Sequence, residues 1–365
     1  MSPHIVPIAT LALILSAGTA APACAVSPPQ GESQSPAPSW GSQIVRRPAA
    51  WYGTEEARRL AAAVSLHQSA EGGWPKNTDL FAAPRADADP GLANTIDNDG
   101  TTLPLDFLAR VITAGDQTAR PAFERGLDYL LKAQQPNGGW PQFYPLRGGY
   151  YDQITYNDDA MVRVLHLLQA VAEGRAPYGF VDAARRARAA EAVQAGTALI
   201  LKTQVRRDGR LTAWCAQHDA VTLAPAWARR FEPPSLSGNE SVGIVRFLMS
   251  IDQPSPEVIA AVEGAVAWFR SSALPDFRIE SLQTDGKPDR RVVAAPGEGP
   301  IWARFYDLET NQPIFMGRDS VPHANLADIE QERRAGYNYV GTWPANLLKT
   351  DYPAWRARLG LPSEG

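Results

Sequence analysis

Apolar residues return every three or four positions through most of the chain, the spacing that lays one apolar stripe along an α-helix. The segments TEEARRLAAAVSLHQS (54–69), TTLPLDFLARVITA (101–114), ARPAFERGLDYLLKAQ (119–134) and DDAMVRVLHLLQAVAEG (158–174) follow it. So do DAARRARAAEAVQAGTALILKTQ (182–204), ESVGIVRFLMSID (240–252), PEVIAAVEGAVAWFRSSA (256–273) and PANLLKTDYPAWRARL (344–359). Strand-like stretches are short, near residues 278–282 and 301–306. The pattern predicts a chain dominated by α-helix.

A repeated phrase punctuates these helices. QSAEGGWPK (68–76) closes the first, QQPNGGWPQ (134–142) closes the third, and TQVRRDGRLTAW (203–214) is a degraded further copy. Each leads through a loop to an acid and amide cluster that opens another helix: TIDNDGTT (95–102), TYNDDAMV (155–162) and SGNESVGI (237–244). A helical hairpin cannot bury its apolar face alone, so three such repeats must stack. The expected fold is therefore an all-α dominated, (α/α)3 toroid-like barrel of three helical-hairpin repeats, with long loops gathered at one end and a few short strands. Because one turn serves two copies, its glycines and Trp74 or Trp140 read as architecture. Its last residue differs, Lys76 in one copy and Gln142 in the other, which leaves the lysine for the loop end.

Composition bounds the organisation. With 44% hydrophobic residues among 365, the chain can bury a sizeable core. Its formal net charge of -4 supplies no basic stripe for nucleic acid. Residues 1–25 hold an apolar run too short to span a bilayer and close on Ala23-x-Ala25, which reads as a secretory signal peptide. Residues 26–45, rich in Pro, Ser, Gly and Gln, read as a disordered linker, and 46–365 as one domain. Cleavage near Ala25 removes Cys24 and leaves Cys215 alone, so no intrachain disulfide is expected. Cys215 itself reads as a small buried hydrophobe and His166 as a core or edge histidine, while His218 lies near the third turn.

One Asn or Asp caps a helix, so Asp97, Asn98 and Asp99 together, and Asn157, Asp158 and Asp159 together, exceed what capping needs. Oxygen ligands converging from loop ends suit calcium better than zinc, although no EF-hand spacing is present. The second chemical feature is arginine among aromatic and turn residues, in AWARRFEPPSLSGNES (226–241), IWARFYDLETNQPIFMGRDS (301–320) and ERRAGYNYVGTWP (332–344). Arginine reads carboxylates bidentately and aromatic rings make platforms for sugars, a combination that suits an acidic polysaccharide. Arg229 and Arg230 precede an extended stretch, so one should face inward and the other out, with Glu232 available to either. Arg333 and Arg334 also fit a solvated helix face.

With these residues in view, the sequence resembles the family 10 polysaccharide lyases, secreted pectate lyases. The matching segments are GGWPKN, TIDNDGTT, NGGWPQFYPL, ITYNDDAMV, WCAQHD, ARRFEPPSLSGNES, ARFYDLETNQPIFMGRD and ERRAGYNYVGTWP, in order from about residue 50 to 356. The resemblance implies an (α/α)3 fold and cleavage of polygalacturonate by calcium-assisted anti β-elimination, which leaves an unsaturated sugar at the new non-reducing end. It also implies that Asp97 and Asp158 hold calcium against a substrate carboxylate, with Asp99 and Asp159 as further metal candidates. Arg229 matches the arginine that abstracts the proton. Arg304 and Arg318 match substrate-binding arginines, and Lys76, Asn98 and Arg230 are further substrate contacts. The partner is then an acidic plant cell-wall polysaccharide rather than nucleic acid or membrane, and a secreted monomer is expected.

Three rival readings share features of the chain. Gln68, Gly72 and Trp74, like Gln134, Gly138 and Trp140, fit the Q-x-x-x-G-x-W motif of triterpene cyclases. An inverting glycosidase on an α/α toroid would use two carboxylates. A pectin-binding module would hold the polymer without cleaving it.

Overall fold

The computed structural model describes Met1 and residues 38–362. Apart from Met1, the predicted signal peptide and most of the predicted linker lie outside the described residues. The packed unit begins at Ser39. Trp40 stacks edge-on against Phe81 at 5.2 Å, and Ile44 is buried with its carbonyl accepting from the Tyr52 hydroxyl at 2.9 Å.

Seven helices carry the first seven periodic segments: α1 (Glu55–Leu66), α2 (Thr102–Thr113), α3 (Arg120–Ala133), α4 (Ala160–Ala172), α5 (Ala183–Thr203), α6 (Glu240–Met249) and α7 (Pro256–Ser271); the eighth becomes the short helical run Trp343–Asn346, Leu347–Asp351 and Tyr352–Arg358. Side-chain oxygens start three of them: Thr54 accepts from Ala57 N, Asp182 from Arg185 N and Ser255 from Val258 N. Helices α2, α4 and α6 pack on one another in turn. Leu105 and Phe107, Val164 and Leu168, and Ile244 and Phe247 on these helices are fully buried. Helices α3, α5 and α7 pack outside this layer.

The repeated turn is what ties the layers together. Gln68 Nε2 donates to Gly72 O in its own turn and to Ala122 O of α3, both at 2.8 Å. Gln134 does the same to Gly138 O and Ala192 O of α5, both at 2.9 Å. Gln204 repeats the pattern to Thr212 O at 2.8 Å and Ala261 O of α7 at 2.9 Å. Trp74, Trp140 and Trp214 are fully buried, and their indole N–H groups donate to Val64 O, Leu130 O and Ile200 O, carbonyls near the ends of the preceding helices. The degraded third copy has thus kept the two side chains that do the tying.

The expectation of an all-α dominated, (α/α)3 toroid-like barrel is corrected by the structure. Helix accounts for about 46% and strand for 13% of the described residues. Among the described residues there are six two-stranded sheets, all antiparallel. After α7 the chain mixes paired strands with short helices, among them Gln331–Gly336 and Tyr352–Arg358. The largest pair is the hairpin Phe277–Thr284 with Lys287–Ala294, closed by Asp285 and Gly286 at φ 50° and 72°. Two positive φ values in a two-residue Asp-Gly loop match the twist of the flanking strands. Shorter pairs join loops: Ile154–Thr155 with Gln217–His218, Leu236–Ser237 with Phe305–Tyr306, and Trp302–Ala303 with Val340–Gly341. Buried loop backbone must find partners, and two-residue ladders supply them without leaving any periodic signature in the sequence. Among the described residues no helix is long and apolar enough to cross a membrane.

Gly138 has φ 95°, and a Cβ there would lie 2.5 Å from Ala195 O of α5. Gly138→Ala should therefore destabilise the protein by about 2 kcal/mol or more. Thermal unfolding checks this, and an unchanged midpoint would contradict it.

Candidate active site

Two acidic turns open α2 and α4, and both are folded alike. Asn98 and Asp99 have φ 48° and 60°, and Asp158 and Asp159 have φ 49° and 60°. Asn and Asp tolerate this left-handed conformation best among residues with a Cβ, because their short polar side chains bond locally. Consecutive left-handed residues turn neighbouring side chains in different directions, which divides each cluster between two environments.

One environment is the loop face. At the first turn, Lys76 Nζ lies 2.5 Å from Asp97 Oδ2, and Gln142 Nε2 donates to the same oxygen at 2.6 Å. Lys76 and Gln142, the differing last residues of the two GGWP turns, thus meet on one carboxylate. Asn98 donates to Asn77 Oδ1 at 3.0 Å. At the second turn, Arg304 Nη2 donates to Asp158 Oδ1 at 2.8 Å and to Asn157 Oδ1 at 3.3 Å, and it also pairs with Glu240 Oε1. Glu240 is fully buried and receives the Ser237 hydroxyl.

The other environment is the helix side. Asp99 pairs with Arg163 Nε of α4 at 2.8 Å. Asp159 packs directly against Gly243 of α6, where any larger residue would collide with its carboxylate. Burial pushes Asp159 up to about 6 against the opposing Arg163, and burial raises Asp99 as well. Asp99 and Asp159 are therefore engaged with the helices rather than brought to Lys76 or Arg304.

The expected extended stretch, with one arginine inward and the other out, is corrected: residues 229–232 form a turn closed by the Glu232 N–H donating to Arg229 O at 2.8 Å, and both arginines stay exposed. Arg229 clamps Glu232, Nε to Oε2 at 2.8 Å and Nη2 to Oε1 at 2.5 Å. Arg230 has a different neighbour, and its Nε donates to Ser320 Oγ at 2.9 Å. Glu232 is buried and also receives the Tyr337 hydroxyl at 2.8 Å. The Tyr337 ring lies under both Arg304, 4.8 Å from its guanidinium carbon, and Arg229, at 5.7 Å. Arg318 is exposed, pairs with Glu332 at 2.8 Å and reaches over the Phe231 ring at 5.4 Å.

These contacts set the protonation states. Hydrogen bonding to Glu232 holds the Arg229 guanidinium above even its ordinary range. Burial opposes the charge on Arg304, but Glu240, Tyr337 and Asp158 outweigh it and raise its pKa. Burial pushes Asp158 up, and Arg304 more than reverses this, so Asp158 is held below the usual carboxylate range.

The structure thus gathers Arg304, Asp158 and Asn157 at one point, with Arg229 reaching the same tyrosine ring, and sets Lys76 with Asp97 at the adjoining turn. Three residues not singled out for the site in the sequence complete it. Glu240 stands in the third cluster, SGNES, where it corresponds to the acids of the other two. Tyr337 was visible only as one aromatic among the arginines, and Asn157 as one member of a cluster. Arg333 is buried and Arg334 is partly buried in an ion pair, which removes the solvated-face reading. Arg334 is held by Asp289 at 2.6 Å, and Arg333 stacks on Phe231 at 3.8 Å.

A loop face built of arginine, carboxylate, amide and aromatic ring can hold an acidic sugar and act on a proton beside its carboxylate. The comparisons give that class: the chain is a polysaccharide lyase. Family 10 polysaccharide lyase from Cellvibrio cellulosa superposes with a TM-score of 0.74 at 35% identity, covering 84% of this chain and 95% of that one. A point mutant of that lyase, in complex with trigalacturonic acid, superposes with the same score, identity and coverage. A family profile described as pectic acid lyase matches residues 68–348, and the chain belongs to that family. No curated protein matches the chain.

Glu240 and Asp158 share Arg304 but differ in exposure, at 0% and 42% of their side chains. Removing the buried partner leaves a buried cation with only the half-exposed Asp158 to pair it. Glu240→Ala should cost about 3–5 kcal/mol of stability, and Asp158→Ala about 1 kcal/mol or less. Denaturant unfolding of both variants checks the order, which would be contradicted by equal losses.

Proposed function

We propose that the protein is a pectate lyase that cleaves (1→4)-α-D-galacturonan by calcium-dependent anti β-elimination. The observation that carries this reading is the shared ring of Tyr337, which sets the half-exposed Arg229 beside Arg304 and its partner Asp158. A positive group for the substrate carboxylate and a basic group for its neighbouring proton are thereby close together.

The donor set is compatible with a hard cation. Asp97 and Asp158 present oxygens only, and the side-chain oxygen of Gln142, beside Asp97, is buried without a hydrogen-bond partner. Among the described residues no group of three or more His, Cys, Asp or Glu could by itself enclose a metal. Calcium takes six to eight oxygens, so Asp97 and Asp158 would hold it together with carboxylate oxygens of the substrate. Bound there, the ion would withdraw charge from that carboxylate and so acidify the adjacent C5 proton.

Arg304 and Lys76 attract and orient the uronate carboxylate, with Arg318, Arg230 and Asn98 as contacts along the polymer. Arg229, in its neutral form, takes the C5 proton. The electron pair becomes the C4=C5 double bond, the C4–O4 bond breaks, and the departing oxygen takes a proton from solvent. Glu232 positions Arg229 but stabilises its charged form, so the neutral form is scarce at ordinary pH. Export rests on the sequence of residues 1–25.

Incubation with polygalacturonate, with and without a chelator, tests the reading through the ultraviolet absorbance of the unsaturated product. Product is expected with calcium and is expected to be lost on chelation; reducing ends without absorbance would indicate hydrolysis. Arg229→Ala should lower kcat by about 10²-fold or more with KM little changed. Because the neutral fraction of a guanidinium grows about tenfold per pH unit below its pKa, activity should climb into the alkaline range. An acidic optimum would reject Arg229 as the base.

A further inference from the structure

Four arginines lie over Phe231 or Tyr337, and three of them face a carboxylate. Arg229 has Glu232, Arg304 has Asp158 and Glu240, and Arg318 has Glu332. Arg333 is the exception. It is 7% exposed, its Nε has no hydrogen-bond partner, and its one side-chain hydrogen bond among the described residues runs from Nη2 to the Tyr339 hydroxyl at 3.3 Å. Its surroundings are aromatic: the guanidinium carbon lies 3.8 Å from the Phe231 ring centre, 5.1 Å from Tyr337 and 5.9 Å from Tyr339. Ring faces attract a cation, yet they offset only part of the cost of taking one out of water. Among the described residues no carboxylate lies within ion-pairing distance of this buried positive charge, and Glu332 acts on it only from farther off.

The same rings bear the site arginines. Phe231 also lies under Arg229 at 5.1 Å and Arg318 at 5.4 Å, and Tyr337 lies under Arg229 and Arg304. An anion brought to Arg229 and Arg304 enters the field of Arg333 through a wall too dry to screen it.

We propose that Arg333 is a specificity-determining positioning residue. Its unneutralised guanidinium, held behind Phe231 and Tyr337, favours a carboxylate-bearing uronan over the methyl-esterified form of the same polymer. It acts by charge through the aromatic wall, without touching the sugar. The inference rests on the lyase reading, because the carboxylate it attracts is that of the substrate.

The test compares the wild type with Arg333→Met, which keeps bulk and removes charge, and Arg333→Lys, which keeps charge and loses the planar stack. The readouts are KM and kcat on polygalacturonate and on highly methyl-esterified pectin at several ionic strengths, trigalacturonic acid affinity by calorimetry, and melting temperature. Arg333→Met should raise KM for polygalacturonate about tenfold, weaken trigalacturonic acid binding by a like factor, and flatten the salt dependence. It should leave KM for the esterified polymer and kcat within about twofold, and Arg333→Lys should restore most of the loss in KM. Removing an uncompensated charge should also leave the melting temperature within about 4 °C of wild type. Unchanged KM and trigalacturonic acid affinity in Arg333→Met would overturn the proposal. Equal losses in the Met and Lys variants that follow the folded fraction would also overturn it, as a merely structural role. Should Arg333→Met not fold, the same comparison is made with Arg333→Gln. A wild type that neither binds nor cleaves polygalacturonate would reject the lyase reading itself, an outcome distinct from a cleaving wild type matched by its variant.

Discussion

The pairing of Arg304 with Glu240 and Asp158 is the interaction on which the rest of the loop face depends. Its three members come from three places: the start of α6, the turn before α4, and the strand-rich segment after α7. The main chain of Arg304 adds to the joint, with its N–H donating to Tyr339 O at 2.7 Å and its carbonyl accepting from Gly238 N at 3.0 Å. Side chain and backbone of one residue thus fasten the helical repeats to the segment that carries Tyr337 and Tyr339. A cation buried to this degree is tolerable only with good partners, so the arrangement is constrained from both sides.

The repeats supply symmetry, and function resides where the symmetry is broken. The glutamine and tryptophan of the turn make equivalent bonds in all three copies, and the two acidic turns share their left-handed backbone. Side chains at matching positions then diverge. Lys76 and Gln142 both converge on Asp97, whereas Asp158 is met by an arginine from outside the repeats. One turn geometry therefore presents carboxylates to two different cations, and Asp99 and Asp159 are directed back to Arg163 and α6 to anchor the turns.

Much of the helical layer was legible in the sequence, because an apolar stripe that returns every three or four residues over ten or more positions falls on one face only in a helix. Segments 101–114 and 182–204 became α2 and α5 to within about two residues at each end. The all-α reading failed where such stripes give no signal. The partner strand Lys287–Ala294 is half charged, and its signal was local: an Asp-Gly pair directly after an alternating run. The two-residue ladders leave no pattern at all. In the site, Arg229 and Arg230 were expected on opposite sides of an extended stretch, but Pro233 and Pro234 follow a turn whose bond from Glu232 N–H to Arg229 O leaves both arginines exposed. Which of them is clamped depends on where Glu232 and Tyr337 lie, and Tyr337 is 105 residues from Glu232 along the chain. The burial of Arg333 is a tertiary property as well, created by rings from two segments.

The central claim is that this loop face breaks a glycosidic link by elimination at C4 rather than by adding water at C1. Cleavage of polygalacturonate in water enriched in heavy oxygen, followed by mass spectrometry of the fresh products, tests it most directly. In elimination the oxygen at the new reducing end is the original bridging oxygen, so the products should carry no solvent label beyond slow exchange and should include an unsaturated fragment. Incorporation of one solvent oxygen per cleavage, with both fragments saturated, would contradict the claim.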